Sequence, residues 1–262
     1  TLNAELLVGA DGVGSTVREQ LGIGFNGVDY SEHFLLADVP WDAAPWSNDR
    51  SHGFLQEEGL LLALPLPQGW RLIMARREPP ETPFSLAPFS ERLTSILGEV
   101  PDLGEPRWLS QFSVQRRLVQ HFRRNRVFLA GDAAHVQSPL GAQGMNTGLA
   151  DAFNLSWKLA FYLKGFGQGA LLDSYEQERR PVAEKMLYGV DMLSRASLVK
   201  LPLLRRSRDS LLKLAGSRRN ISSRLLRTAS QLDVHYRNSP LVTCGPEADV
   251  GWRHQGPLPG DR

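Results

Sequence analysis

Cysteine is nearly missing from this sequence, with Cys244 the only one. No disulfide can close within the chain, and a cysteine-built metal centre is excluded. A lone thiol fits a reducing compartment, so the expected location is cytoplasmic. Surplus charge is missing too. Thirty basic and 28 acidic residues leave a net charge of +2, too little for a whole-chain field that would draw nucleic acid. No apolar run approaches the roughly 18–20 residues of a membrane span, so no stable membrane insertion is expected. The opening TLNAELLVGADG lacks the basic-then-apolar order of a signal peptide. There is no internal repeat and no low-complexity tract. Neither a Ser-His-Asp set nor a metal-ligating cluster is visible, so no catalytic side chain and no metal ligand is assigned.

What is present is an ordinary globular composition, 42% hydrophobic and 22% charged over 262 residues. That length suits one large domain or two small ones and can bury a substantial core. Glu5 to Val8 is a short apolar run ending at Gly9, and Ser15 to Leu21 has a helical pattern with Ser15 as N-cap. From Phe34 to Ala75 the segments FLLADVPW, GFLQEEGLLLALPLP and WRLIMAR alternate in part and are split by Pro, Gly and Asn, which predicts an antiparallel sheet. A Pro-rich loop leads to a helix near Ser90 to Leu97. A strand follows from Trp108 to Val114, then a helical stretch from Arg117 to Phe122 and a strand from Arg126 to Ala130. The apolar positions Leu149, Ala152, Phe153, Leu155, Trp157, Leu159, Ala160 and Leu163 continue a long helix. Tyr175 to Leu187 is helical again, with Pro181 expected to open a new helix. The charges of Tyr175 to Arg180 are expected on a solvated face. Trp41, Trp46, Trp70 and Trp108 are expected in the core. Residues 198–227 are basic and leucine-rich, with Asp209 their only acid, and suit a solvated amphipathic helical region. Beyond Pro240 the chain reads as loop.

Two stretches carry chemistry. In Arg126 to Ala160, RVFLAGDAAHVQSPLGAQGMNTGLADAFNLSWKLA, a buried strand delivers the chain to Gly131-Asp132. Glycine permits close approach to the backbone, and an aspartate at a strand end can accept hydrogen bonds from a sugar-like hydroxyl. A glycine-dense turn then opens a long helix, whose free N–H groups and dipole favour negative charge. In Leu6 to Arg18, LLVGADGVGSTVR, a strand ends in Gly9-Ala10-Asp11-Gly12 and Ser15 starts a helix. Gly22 to Gly27 matches G-x-G-x-x-G literally, but the dinucleotide fingerprint needs a strand before it and a helix after it. A helix C-cap and turn is the expected reading there.

The longer stretch resembles the Gly-Asp motif of FAD-dependent aromatic-ring hydroxylases through Gly131, Asp132, His135, Pro139, Gly141, Gly144, Asn146, Gly148, Asp151, Asn154 and Lys158. The shorter one resembles that family's Asp-Gly motif at Asp11, Gly12, Ser15 and Arg18. The resemblance implies that Asp132, beside Gly131, contacts the ribityl chain of FAD. It implies that the loop of Pro139 and Gly141 passes the isoalloxazine, and that Gly144, Met145 and Asn146 face its N1 and C2 oxygen. Asp11, Gly12 and Arg18 would lie near the pyrophosphate. The implied fold is mixed α/β, with the later part of an FAD domain (1–27 and 108–188) interleaved with a mainly antiparallel substrate sheet (28–107), then a helical region and linker (189–262). The implied reaction is hydroxylation of a phenolic or polyketide-type aromatic ring through a flavin C4a-hydroperoxide, with NADPH or NADH and O2 as co-substrates. Another flavin branch, such as an alkene epoxidase or reductase, and a non-catalytic remnant or binding module are the alternatives. The resemblance also places the family's first strand-turn-helix upstream of Thr1 and a further domain after Arg262. Without that first unit, weak FAD binding or none is the expectation for the chain as written.

Overall fold

The structure, a computed structural model, describes residues 3–56, 59–76, 84–138, 143–197, 202–217, 223, 227–228 and 230–242. It divides into two units. Unit 1 comprises Thr1–Val28, Arg116–Leu193 and Arg206–Arg262, and unit 2 comprises Asp29–Gln115 and Ser194–Arg205.

Unit 2 is built on long antiparallel strands. β2 (Phe25–Val39), which begins in unit 1, pairs with β5 (Gly69–Arg76), β5 with β4 (Gly59–Leu66), and β4 with β3 (His52–Gln56). Alternation sets the faces: Leu61 and Ala63 on β4, and Trp70, Leu72 and Met74 on β5, are buried while Leu60, Leu62, Arg71 and Ile73 beside them are half-exposed. The helix α2 (Ala87–Leu97) carries Phe89 and Leu93 into the same cluster and ends at Gly98, whose φ of 80° is the left-handed C-cap. Trp41 and Trp70 are core residues as expected, and Trp46 stacks among Trp41, His52, Phe54 and Trp70. Each fully buried Leu or Phe contributes about 1.5–3 kcal/mol. A cross-strand ion pair in this sheet, Asp38 with Arg71 (2.7 Å), is half-exposed and adds about 1 kcal/mol at most. Trp108, by contrast, is 60% exposed; it opens β6 (Trp108–Val119) instead of filling the core.

In unit 1, β1 (Leu7–Gly9) runs parallel to β8 (Val127–Leu129), which pairs antiparallel with β7 (Arg123–Arg124). A 3-10 turn, Gly131–Ala133, leads to β9 (His135–Val136), which pairs with the end of β6. The helix expected over Arg117 to Phe122 is therefore strand and turn. Arg117 and Leu118 are claimed by Val136 and His135 of β9, pairing that local periodicity does not reveal. The expected helix at Ser15 is present as α1 (Thr16–Gln20), and Ser15 caps it by accepting from the Arg18 N–H at 3.0 Å. Gly22 follows as a turn with φ of 62°, and its N–H donates to Glu19. The literal G-x-G-x-x-G runs into β2 and opens no helix.

The chain continues into α3 (Gly144–Leu163) and α4 (Gly169–Ser197). Helix α4 runs straight through Pro181, so the expected new helix start there is overturned. Tertiary anchors outweigh the missing proline N–H: Tyr175 and Arg179 before it, and Ala183 and Val190 after it, are buried. Tyr175 donates its hydroxyl to the Leu129 carbonyl at 2.8 Å and so ties α4 to β8. The basic segment contains α5 (Pro202–Ser217), with Leu204, Leu211 and Leu214 exposed. The tail from residue 243 lies outside the described residues. No helix among the described residues is long and apolar enough to cross a membrane.

Candidate functional site

The parallel pair sets the site. Gly9 aligns with Leu129, and the Ala130 N–H donates to the Gly9 carbonyl at 3.0 Å. The Asp-Gly and Gly-Asp turns thus leave the same carboxyl edge of adjacent strands, the edge where open α/β sheets bind ligands. Arg18 joins the two turns. Its buried guanidinium donates to the Ala133 carbonyl (3.1 Å) and the Val13 carbonyl (2.7 Å) and lies 4.0 Å over the Phe25 ring. Asp11 is exposed but occupied: it accepts from the Ser15 hydroxyl at 2.5 Å and the Val17 N–H at 3.2 Å. The Ser15 bond holds its carboxyl below the usual range. Gly12, with φ of 82°, has open space where a Cβ would stand.

Across the edge, Asp132 is exposed and has no hydrogen bond or ion pair among the described residues. Gly131 has a φ of 58°, and a Cβ on Gly148 would stand 3.3 Å from the Gly131 Cα. The two glycines let the turn and the start of α3 touch backbone to backbone. Gly144, Met145 and Asn146 form the first turn of α3, with Met145 77% exposed. No side chain caps this end, and no acid lies in its first turn. Among the described residues its first N–H groups and positive dipole end are left for an external acceptor. Pro139 and Gly141 lie outside the described residues.

Beneath this surface lies a buried polar network. Asp151 is fully buried and accepts from the Gly131 N–H (3.1 Å) and Arg179 Nε (2.7 Å), with His135 Nε2 at 2.7 Å. Burial pushes its carboxyl up, but His135 and Arg179 overcome that and hold it below the ordinary value. Arg179 also donates to the Thr147 carbonyl (3.2 Å) and to the Tyr236 hydroxyl (2.9 Å). A second set centres on Glu178, which accepts from Asn154 (2.6 Å), Lys158 (2.7 Å) and Ser239 (2.6 Å). Burial raises Glu178, and these donors bring it below its ordinary value. Burial likewise drives the Lys158 ammonium down, only partly offset by Glu178.

The expected solvated face at Tyr175 to Arg180 is thus overturned at Glu178 and Arg179, while Gln177 is exposed and Glu176 and Arg180 are partly so. Glu178 and Arg179 are buried because α3 presents Asp151, Asn154 and Lys158 to them, at i, i+3 and i+7. Sequence reasoning matched those three residues to a motif without seeing their role; it put Glu178 and Arg179 on the wrong face, and it missed Tyr236 altogether. The signal it could have used is the pairing of one regular polar face with another. His135 stands with this network as a structural residue.

The described residues fit the flavin half of FAD. Asp132 is an open acceptor for a polyol hydroxyl, and the uncapped start of α3 is a donor set for an electron-rich carbonyl edge. A separate open groove of about 350 Å³, lined by His121, Arg123, Asn125, Asp173, Glu176 and Gln177, is a poorer candidate. Its polar groups already pair, Arg123 with Asp173 and His121 Nδ1 with Glu176.

Residues 1–189 match the family model described as FAD binding domain. The chain is 39% identical to the 6-methylpretetramide 4-monooxygenase of Streptomyces rimosus, over 96% of this chain and 46% of that protein. It is 34% identical to the dialkyldecalin synthase of Streptomyces rugosporus, over 93% and 53%. Among solved structures, the anhydrotetracycline hydroxylase from Streptomyces rimosus superposes with a TM-score of 0.73 at 32% identity, covering 92% of this chain and 48% of that one. The chain therefore spans about half the length of these relatives.

Proposed function

The chain belongs to the FAD-binding-domain family, and from that premise we propose that its full-length protein is an FAD- and NAD(P)H-dependent monooxygenase that hydroxylates a phenolic or polyketide-type aromatic substrate. The observation that carries the reading is the convergence of both glycine-aspartate turns on one carboxyl strand edge beside an uncapped helix start. Bound FAD would supply the redox chemistry, taking reducing equivalents from NAD(P)H and activating O2 for transfer of one oxygen atom to the ring.

The protein's part is binding, orientation and field. Asp132 accepts hydrogen bonds from the ribityl hydroxyls, and Gly131 keeps the backbone close. The N–H groups of Gly144, Met145 and Asn146 stabilise negative charge at the N1–C2 edge, worth about 0.3–1 kcal/mol when exposed and up to about 2 when partly buried. Arg18 holds the Val13 and Ala133 carbonyls, so its role is to fix the spacing of the two turns; Asp11 and Gly12 shape the pyrophosphate side. Residues 1–27 and 108–188 serve FAD, 28–107 the substrate, and 189–262 form a helical region and linker. The cytoplasm, with its nicotinamide pool, is the compartment this reading implies.

The test uses the full-length protein. It should purify yellow and release FAD on denaturation. Phenols or polycyclic aromatics should stimulate its NAD(P)H oxidation, with one atom of labelled O2 found in the product. Asp132→Ala should lose most of the flavin. A colourless protein, or flavin retained unchanged by Asp132→Ala, overturns the assignment. A flavin-bearing protein that turns over without adding oxygen would favour chemistry of the kind named for the dialkyldecalin synthase.

A further inference from the structure

The family match ends at residue 189, yet a later segment reaches back into the network under the site. Three side chains of residues 231–239 insert there. Gln231 is buried and donates from Nε2 to the Thr147 hydroxyl at 2.7 Å. The Tyr236 hydroxyl receives Arg179 Nη1 at 2.9 Å. The Ser239 hydroxyl donates to Glu178 at 2.6 Å. Outside the network, Asp233 meets Lys185 of α4 at 3.2 Å. We propose that residues 231–239 are a strap that sets the first turn of α3 against the flavin, with Gln231 as its positioning residue. This rests on the flavin reading above.

The geometry gives the strap a specific lever. Thr147 is fully buried and stands next to Asn146 and Gly148. Its hydroxyl lies 2.9 Å from the Gln143 carbonyl, to which its N–H also donates at 3.0 Å, so this one residue closes the first turn. Gln231 grips that hydroxyl directly. Tyr236 acts on the other side through Arg179, which bonds both the Thr147 carbonyl and Asp151, while Asp151 holds the Gly131 N–H. The strap therefore bears on the helix start and the strand-end turn together. Gln231 also has a φ of 55°, in the left-handed region that non-glycine residues rarely enter. A residue held there to aim an amide at one buried hydroxyl is over-determined by its surroundings.

The experiment is a double-mutant cycle in the full-length protein, Gln231→Ala with Thr147→Val. It reads FAD dissociation, the absorption spectrum and midpoint potential of bound flavin, and thermal stability. Gln231→Ala should weaken FAD binding about three- to tenfold, the size of one net hydrogen bond, and shift the flavin spectrum and potential. In the Thr147→Val background it should do nothing further to either, whereas Thr147→Ser, which keeps the hydroxyl, should retain native affinity. Tyr236→Phe removes the phenol that receives Arg179 and should move the same readouts in the same direction. If Gln231→Ala lowers thermal stability yet leaves flavin affinity, spectrum and potential native, the strap is only structural and the proposal falls. Additive effects of the two substitutions would overturn it as well. An unmutated protein without flavin would sink this inference and the flavin reading together, which separates the two failures.

Discussion

The two units bury different things. Unit 2 closes over Leu35, Leu61, Leu72, Phe89 and Leu93, with tryptophans at its side. Unit 1 has an apolar cluster too, around Phe122, Phe128 and Leu129, but it also buries Asp151, Lys158, Glu178 and Arg179. An apolar core is held by area and is tolerant of shape-conserving exchange. A buried network is held by direction, and removal of one member leaves the others charged and dry. Unit 1 thereby fixes where a turn and a helix start meet, which is the requirement of a site that positions a cofactor edge.

The comparison breaks most visibly at Asp151. Asp151→Ala leaves Arg179 and the Gly131 N–H without their acceptor, and a loss of about 3–5 kcal/mol in unit 1 is expected from denaturant titration. Leu72→Ala, in the fully buried centre of β5, should cost about 2–5 kcal/mol. The contrast sharpens with isosteric exchanges. Leu72→Met should cost under about 1.5 kcal/mol, whereas Asp151→Asn, equally conservative in shape, should cost more because it weakens the charge partner of Arg179; equal losses would erase the distinction. Acid provides a third test. Asp151 and Glu178 have folded values held below their ordinary 3.8 and 4.5, so their contribution is complete above those values and is lost as pH falls through the folded ones. Between pH 7 and pH 3, amides of unit 1 such as Leu129 should lose more protection from hydrogen exchange than Leu72 does. The smallest effect is expected at Gly148→Ala. The new Cβ would press on the Gly131 Cα at 3.3 Å while gaining roughly 1 kcal/mol of helix propensity, leaving a net loss under about 1 kcal/mol in a thermal melt.

Much of this is legible in the sequence itself. The alternation in GLLLALPL and WRLIMAR gave the hairpin of unit 2, and Ser15 gave the cap of α1, because both signals are local. The two glycine-aspartate turns were legible by motif. What stayed hidden depends on a distant partner. Arg117 and Leu118 look helical until β9 claims them. In α3 the pattern gives the helix but not its inner face: Leu149, Phe153 and Trp157 continue the apolar pattern yet are exposed, while Asp151 and Lys158, legible only as motif matches, are buried. Periodicity reports two unlike faces of a helix, and only the charges of α4 reveal which one turns inward.

One pairing also governs when the site can form. Leu7 finds its parallel partner at Val127, so β1 emerges from the ribosome about 120 residues ahead of the strand it needs. At usual elongation speeds that is roughly 6–24 s. The contiguous hairpins of β3, β4 and β5 close locally within that interval, on a scale of about microseconds. The waiting β1 carries Leu7 and Val8, and it is then that a chaperone, or a neighbouring nascent chain, has the most to grasp.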